Sequence, residues 1–262
     1  MIGSCVFSYT RLATLVLLTA VWGCTTLIPI GDQTAFNDVP TETVLIQLAS
    51  GSASVDVYWP DKITQAPAII IAHGFLRNRR NMSGWGQHLA KEGFVAIIPD
   101  LPTHSDHARN GLFLSELQAY LSAFEGWGQR IDPTRVGYLG FSAGGLSSLL
   151  AAARSPNTAI WIGLDPVDRA GVGANAAPMV QAKTVVLTAE PSACNGQGNA
   201  RGIIAALPHP NHFIISGAVH VDAEWPTSWL AEVVCGSFSE DMRTEFRSRA
   251  TEVLRKALTA SF

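Results

Sequence analysis

Ser142 lies within Gly140-Phe141-Ser142-Ala143-Gly144, a G-x-S-x-G pentapeptide between a β-branched run and an Ala/Leu-rich helical stretch. In a strand-turn-helix setting this spacing lifts a serine hydroxyl onto a tight turn, where it can attack an acyl carbon. Glycine at 140 and 144 removes side chains that would crowd such a turn. The first amides of the following helix face any anion formed at the attacked carbon. Nucleophilic acyl transfer then needs a base, an acid that orients it, and a second oxyanion donor.

Each partner should lie just after a strand, because ligands in open α/β sheets sit beyond the strand carboxyl ends. The apolar run from Ala68 to Ala72 leads into His73-Gly74-Phe75. The backbone N–H groups of Phe75 and Ala143 are therefore the expected oxyanion hole, with His73 shaping the loop through its own hydrogen bonds. The base is expected near the C-terminus, and His220 follows the run from His212 to Ile215. For the acid, Asp165 follows the run from Ala159 to Gly163, and Glu190 follows Lys183 to Thr188. The residues alone leave these two open, with Asp168 a third option that further turn residues redirect. Trp85, Trp161 and Trp225 are candidates to line an apolar substrate pocket, Trp225 foremost because it follows His220 closely.

Two rival readings exist. His104-Ser105-Asp106-His107 contains His104, Asp106 and His107, which could begin a metal-hydrolase centre; Pro102 stands where a further histidine is needed, so a polar loop at the rim of the site is preferred. A binding protein that keeps a hydrolase fold without turnover is the other. The serine mechanism requires no metal and no organic cofactor.

The elements that must position these residues alternate from Val44 onward between short β-branched runs and longer helix-like stretches. That order predicts one doubly wound, mostly parallel sheet with helices on both faces, opened by a hairpin of Val44 to Leu48 and Ser54 to Trp59. Core strands are expected at 68–72, 94–98, 135–139, 159–163, 183–188 and 212–215, and helices near 82–91, 111–129, 143–153 and 240–258. The chain has 262 residues, 47% hydrophobic and 15% charged, with 18 basic against 21 acidic side chains. This composition excludes a disordered chain, and the absence of basic runs gives no footprint for nucleic acid.

Residues 1–23 read as an export signal: Arg11, an apolar run from Leu12 to Val21, then Trp22-Gly23-Cys24. The run falls short of the about 20 apolar residues that a membrane span needs. It resembles the bacterial lipoprotein signal, which implies lipidation of Cys24, attachment to a membrane through that lipid, and a cell-envelope location, plain secretion being the alternative. Residues 24–43 then form a linker and 44–262 the catalytic domain. With Cys5 lost and Cys24 lipidated, Cys194 and Cys235 remain as an even pair in an oxidising compartment, and a disulfide between them is expected.

From about Ala68 to the C-terminus the chain resembles chlorophyllase-like α/β-hydrolases. The resemblance rests on His73-Gly74-Phe75-Leu76, residues 93–99, Gly140 to Gly145, Gly163-Leu164-Asp165-Pro166-Val167-Asp168 and His220-Val221-Asp222. Platelet-activating-factor acetylhydrolases and bacterial polyester hydrolases share this plan. The resemblance implies an α/β-hydrolase fold and cleavage of small-molecule or polymeric carboxylic esters. It also implies that the acid is the first aspartate after the strand that follows the nucleophile, which favours Asp165 over Glu190. Phe141 and Ala143 differ from the G-H-S-R-G-G elbow of the plant chlorophyllases, so the chlorophyll substrate is not carried over.

Overall fold

A computed structural model describes residues 39–61, 65–123 and 127–259. The signal segment and Cys24 lie outside these residues. Among the described residues the eight strands are β1 (Thr41–Leu48), β2 (Gly51–Tyr58), β3 (Ala66–Ala72), β4 (Val95–Pro99), β5 (Ile131–Phe141), β6 (Ile160–Leu164), β7 (Lys183–Thr188) and β8 (Asn211–Ile214). They form one sheet in the order β1-β2-β4-β3-β5-β6-β7-β8. β1 and β2 are antiparallel to their neighbours, and every pairing from β4 to β8 is parallel. β1 begins at Thr41, ahead of the Val44 boundary, because Thr41 to Thr43 pair with Asp56 to Tyr58. Leu48 pairs with Gly51, so the hairpin turn tightens to Ala49-Ser50.

The long helices are α1 (Ser83–Lys91), α2 (His107–Ala123) and α3 (Ala143–Arg154). Three short helices, α4 (Val172–Ala176), α5 (Arg201–Ala206) and α6 (Trp229–Cys235), precede α7 (Glu240–Leu258). α2 starts earlier than expected, since the Asp106 carboxylate accepts the Arg109 amide at 2.9 Å and caps its first turn.

Side-chain alternation along the central strands sorts the core into two layers. Ile70 and Ala72 face Phe113, Leu117 and Leu121 of α2 and Leu149 of α3. Ile69 and Ile71 face Trp85 and Leu89 of α1 and Phe246 and Leu254 of α7. Ile69, Ile70 and Ile71 are wholly buried, and full burial of such a side chain contributes about 1.5 to 3 kcal/mol. This two-sided apolar run is what a central parallel strand needs, and it anchors the carboxyl end that carries His73.

Trp85 and Trp161 belong to these two layers and correct the pocket expectation. Both are wholly buried. Trp85 Nε1 donates to the Ala223 carbonyl at 2.9 Å and Trp161 Nε1 to Ser148 Oγ at 2.9 Å. An indole whose one polar atom is satisfied inside the core has no reason to face solvent. Trp225 also leaves the pocket set, because its ring packs over Gly84 and under the Arg247 guanidinium, 4.5 Å away.

Candidate active site

Three parallel strands end at the same level of the sheet, each contributing one side chain. Ser142 follows β5, Asp165 follows β6, and His220 comes from the loop beyond β8. The β5–β6 register pairs Phe141 with Leu164, so the residues after each strand are neighbours. The Ser142 amide donates to the Leu164 carbonyl at 3.1 Å, and the Asp165 amide to the Leu187 carbonyl at 2.6 Å. Both residues adopt positive φ, +54° at Ser142 and +41° at Asp165. Neither is glycine, so the surrounding bonds hold backbone geometry that side chains disfavour, as at many reactive centres.

The elbow demands its glycines. A Cβ on Gly140 would come 2.2 Å from Ser148 Oγ, and one on Gly144 would come 2.3 Å from the Ala72 and His73 carbonyl oxygens. The second contact is with backbone, which cannot swing aside, so Gly144 lets α3 approach the end of β3.

The side chains form a continuous hydrogen-bonded chain. Ser142 Oγ lies 2.9 Å from His220 Nε2, and His220 Nδ1 lies 2.6 Å from Asp165 Oδ2. An ionised carboxylate only accepts, so Nδ1 carries the proton and Nε2 accepts from the serine hydroxyl. Ser142, His220 and Asp165 are all buried, and the Phe141 ring packs against the imidazole at 4.7 Å. This geometry can take a proton from the serine and stabilise the resulting imidazolium.

Phe75 and Ala143 line one recess beside the serine, together with His73, Thr103, His107 and Ser147. Ala143 is the first residue of α3, whose amide has no intrahelical acceptor. Phe75 belongs to the loop fixed by His73, whose Nδ1 donates to the Gly74 carbonyl at 3.0 Å while Nε2 accepts the Leu101 amide at 2.9 Å. Burial keeps His73 below the ordinary histidine pKa, consistent with this neutral, fully bonded ring.

Glu190 is turned away from the imidazole: it is exposed, and its carboxylate meets the Gly217 amide at 3.4 Å. Asp168 caps α4, accepting the Gly173 and Ala174 amides at 2.7 and 3.1 Å. His104, Asp106 and His107 do not share a centre. Asp106 caps α2, while His107 Nδ1 faces Ser147 Oγ at 3.4 Å. Among the described residues no group of three His, Cys, Asp or Glu side chains is arranged to hold a metal.

Four residues that were assigned no role from the sequence also shape the site. Asn195 Nδ2 reaches Asp165 Oδ2 at 3.1 Å. Asp222 accepts the Val219 and Ser239 amides at 2.7 and 2.6 Å, fixing the turn on which His220 stands. Glu224, wholly buried, pairs at 2.6 Å with Arg77 of the loop after β3. Arg77, Asp222 and Glu224 stand close in sequence to His73 or His220, whereas Asn195 carries no such signal. Cys194 and Cys235 form a disulfide that ties the loop after β7 to the end of α6.

Comparison with known proteins adds a family and a fold. The family described as PETase, PET hydrolase-like, matches residues 30–201, a span that includes Ser142 and Asp165 and ends before His220. The bis(hydroxyethyl) terephthalate hydrolase of Streptomyces coelicolor is 27% identical over 203 residues, covering 71% of this chain and 63% of that protein. Cutinase 1 of Thermobifida cellulosilytica is 29% identical over 133 residues, 49% of this chain and 50% of the relative. The chain thus spans less than two thirds of the length of these relatives. The crystal structure of a dienelactone hydrolase from Anabaena variabilis superposes with a TM-score of 0.67 at 19% identity, covering 84% of this chain and 99% of that one. A putative dienelactone hydrolase from Klebsiella pneumoniae gives 0.66 at 16% identity, with 84% and 100% covered. The fold is the α/β-hydrolase fold.

Proposed function

The chain belongs to the PET hydrolase-like family, and from that premise we propose that it hydrolyses carboxylic esters through an acyl-enzyme on Ser142. The observation that carries this reading is the unbroken hydrogen-bonded chain Ser142–His220–Asp165, with links of 2.9 and 2.6 Å. His220 removes the Ser142 proton as Oγ attacks the ester carbonyl, and Asp165 holds the imidazole in the tautomer that can accept it. The Phe75 and Ala143 amides receive the oxyanion. His220 then returns the proton to the departing alcohol, and water, activated by the same imidazole, releases the acid.

Relatives named for bis(hydroxyethyl) terephthalate and as cutinases make aromatic diesters and polyester chains the first substrates to try. Half-exposed Phe75 and more exposed Leu76 lie at the oxyanion loop and give such a substrate an apolar edge to rest on. The export signal and the Cys24 lipid anchor belong to this proposal as well, delivering the domain to an ester outside the cell.

The test is hydrolysis of short-chain and medium-chain p-nitrophenyl esters, with and without a chelator, beside Ser142→Ala. Loss of the serine is expected to lower kcat roughly 10⁴- to 10⁶-fold, with activity retained under chelation. A fluorophosphonate should label the parent chain and not the variant. A folded parent that neither turns over nor takes the label favours a binding protein instead.

A further inference from the structure

We propose that Asn195 is the positioning residue of the acid, holding Asp165 on the imidazole and setting how strongly that carboxylate draws the His220 proton. Its consequence for turnover rests on the ester-hydrolase reading, whereas its effect on His220 is measurable without any substrate.

Asn195 is wholly buried in the 3-10 turn Ala193–Asn195. Its Oδ1 accepts the Ser192 amide at 2.8 Å and the Gly198 amide at 2.9 Å. Backbone N–H groups only donate, so these two bonds fix which end of the side-chain amide faces the site. The NH₂ end therefore points at Asp165, 3.1 Å from Oδ2 and 3.4 Å from Oδ1, and also donates to the Glu190 carbonyl at 2.9 Å. One proton serves Glu190, and the other is shared between the carboxylate oxygens.

Asp165 is almost fully buried, and among the described residues no lysine or arginine pairs with it. Its charge is held by His220, the Ala189 amide at 3.1 Å, and Asn195. A buried carboxylate with so few donors depends on each of them. Asn195 is the one side chain other than His220 in that set. The adjacent Cys194–Cys235 bond anchors the turn from which it reaches. The remaining ionisable groups near His220 are otherwise engaged. Glu224 pairs with Arg77, the Asp222 oxygens accept backbone amides, and the Glu190 carboxylate meets the Gly217 amide.

Asn195→Asp separates this role from simple support of the loop. The new side chain keeps the shape and can still accept the Ser192 and Gly198 amides, but it turns an oxygen toward Asp165 in place of the donor. The probe is the His220 imidazole titration followed by NMR, assigned by its loss in His220→Ala. The His220 midpoint is expected to move up by about one pH unit, because added or less compensated negative charge favours the imidazolium. Asn195→Ala should shift it in the same direction, and it supplies the measurement if the aspartate variant does not fold. In turnover, kcat is expected to fall about 10- to 100-fold, the range for a misplaced catalytic group, with KM little changed. Folded variants whose His220 midpoint matches the parent would overturn the proposal, even if their thermal stability drops. A parent chain inactive on every ester, with the midpoint shift present, would overturn the ester reading and leave Asn195 in its assigned role.

Discussion

Glu224 is wholly buried beside the His220 turn and bonded to Arg77 of the loop after β3, and so joins two parts of the candidate site through one ion pair. Burial pushes its carboxyl above the ordinary range in spite of the Arg77 charge. A raised folded pKa means that its stabilising contribution is complete below the unfolded value, near 4.5, and is lost as pH rises through the folded value. Glu224→Gln removes that titration and keeps the shape. The thermal midpoint of the variant relative to the parent should therefore increase between about pH 4.5 and 7.5, as scanning calorimetry at several pH values can read; a flat or falling difference would contradict the assignment. At this scale Ser142, Asp165 and His220 were legible because each follows a recognisable strand or motif. Asn195 was not, because its role depends on a 3-10 turn folding back over a strand end thirty residues earlier in the chain. The tryptophans misled for a related reason: an indole reads the same in a core layer as in a pocket wall, and Ala223 and Ser148, which satisfy Trp85 and Trp161, are remote or unremarkable in sequence.

The strands were legible as elements because the two-sided burial of the parallel sheet demands β-branched runs, and Ala-Ile-Ile-Ile-Ala in β3 is such a run. The short helices α4, α5 and α6 were not legible, because so few residues carry no helical period. α6 is the sharpest case: in Trp-Leu-Ala-Glu-Val-Val-Cys, Trp229, Leu230, Val233 and Val234 are exposed and only Ala231 is buried. Apolar burial therefore contributes little to holding α6. The Ser228 cap, whose Oγ accepts the Ala231 amide at 3.2 Å, and the bond from Cys235 to Cys194 do most of it. That disulfide closes a loop with a sequence separation of 41, which is worth roughly 4 kcal/mol in the chain-entropy account. For a domain of this size, replacing both cysteines by serine should lower the thermal midpoint by about 10 °C. Activity should fall with it, since the same loop carries His220 and one of its anchors is next to Asn195. Calorimetry and ester turnover with and without reductant check this, and an unchanged midpoint after verified reduction would show that the loop is held by other means.

Over the whole molecule, neutral pH is favoured by histidines outside the Ser142–His220–Asp165 chain. His73 is buried in the loop after β3, His88 bonds Thr251 of α7 at 2.8 Å, and His107 meets Ser147 of α3 at 3.4 Å. Burial is the main cause that lowers each of them below the ordinary value of 6.5. The three lie between different pairs of elements: β3 with the segment after β4, α1 with α7, and α2 with α3. For a lowered folded pKa the unfolded chain takes up the proton first, so the stability is complete above the unfolded value and is lost as pH falls through it. Acidification therefore strains both helical layers and the loop holding Phe75 together. The urea midpoint should fall between about pH 7.5 and 5.5, and the fall should be steeper in Glu224→Gln, which lacks the opposing gain from a raised carboxyl. Because unfolding of small domains is cooperative, tryptophan fluorescence and far-ultraviolet dichroism should report the same midpoint at each pH. A midpoint that rises on acidification in both chains would mean that these rings are charged within the fold.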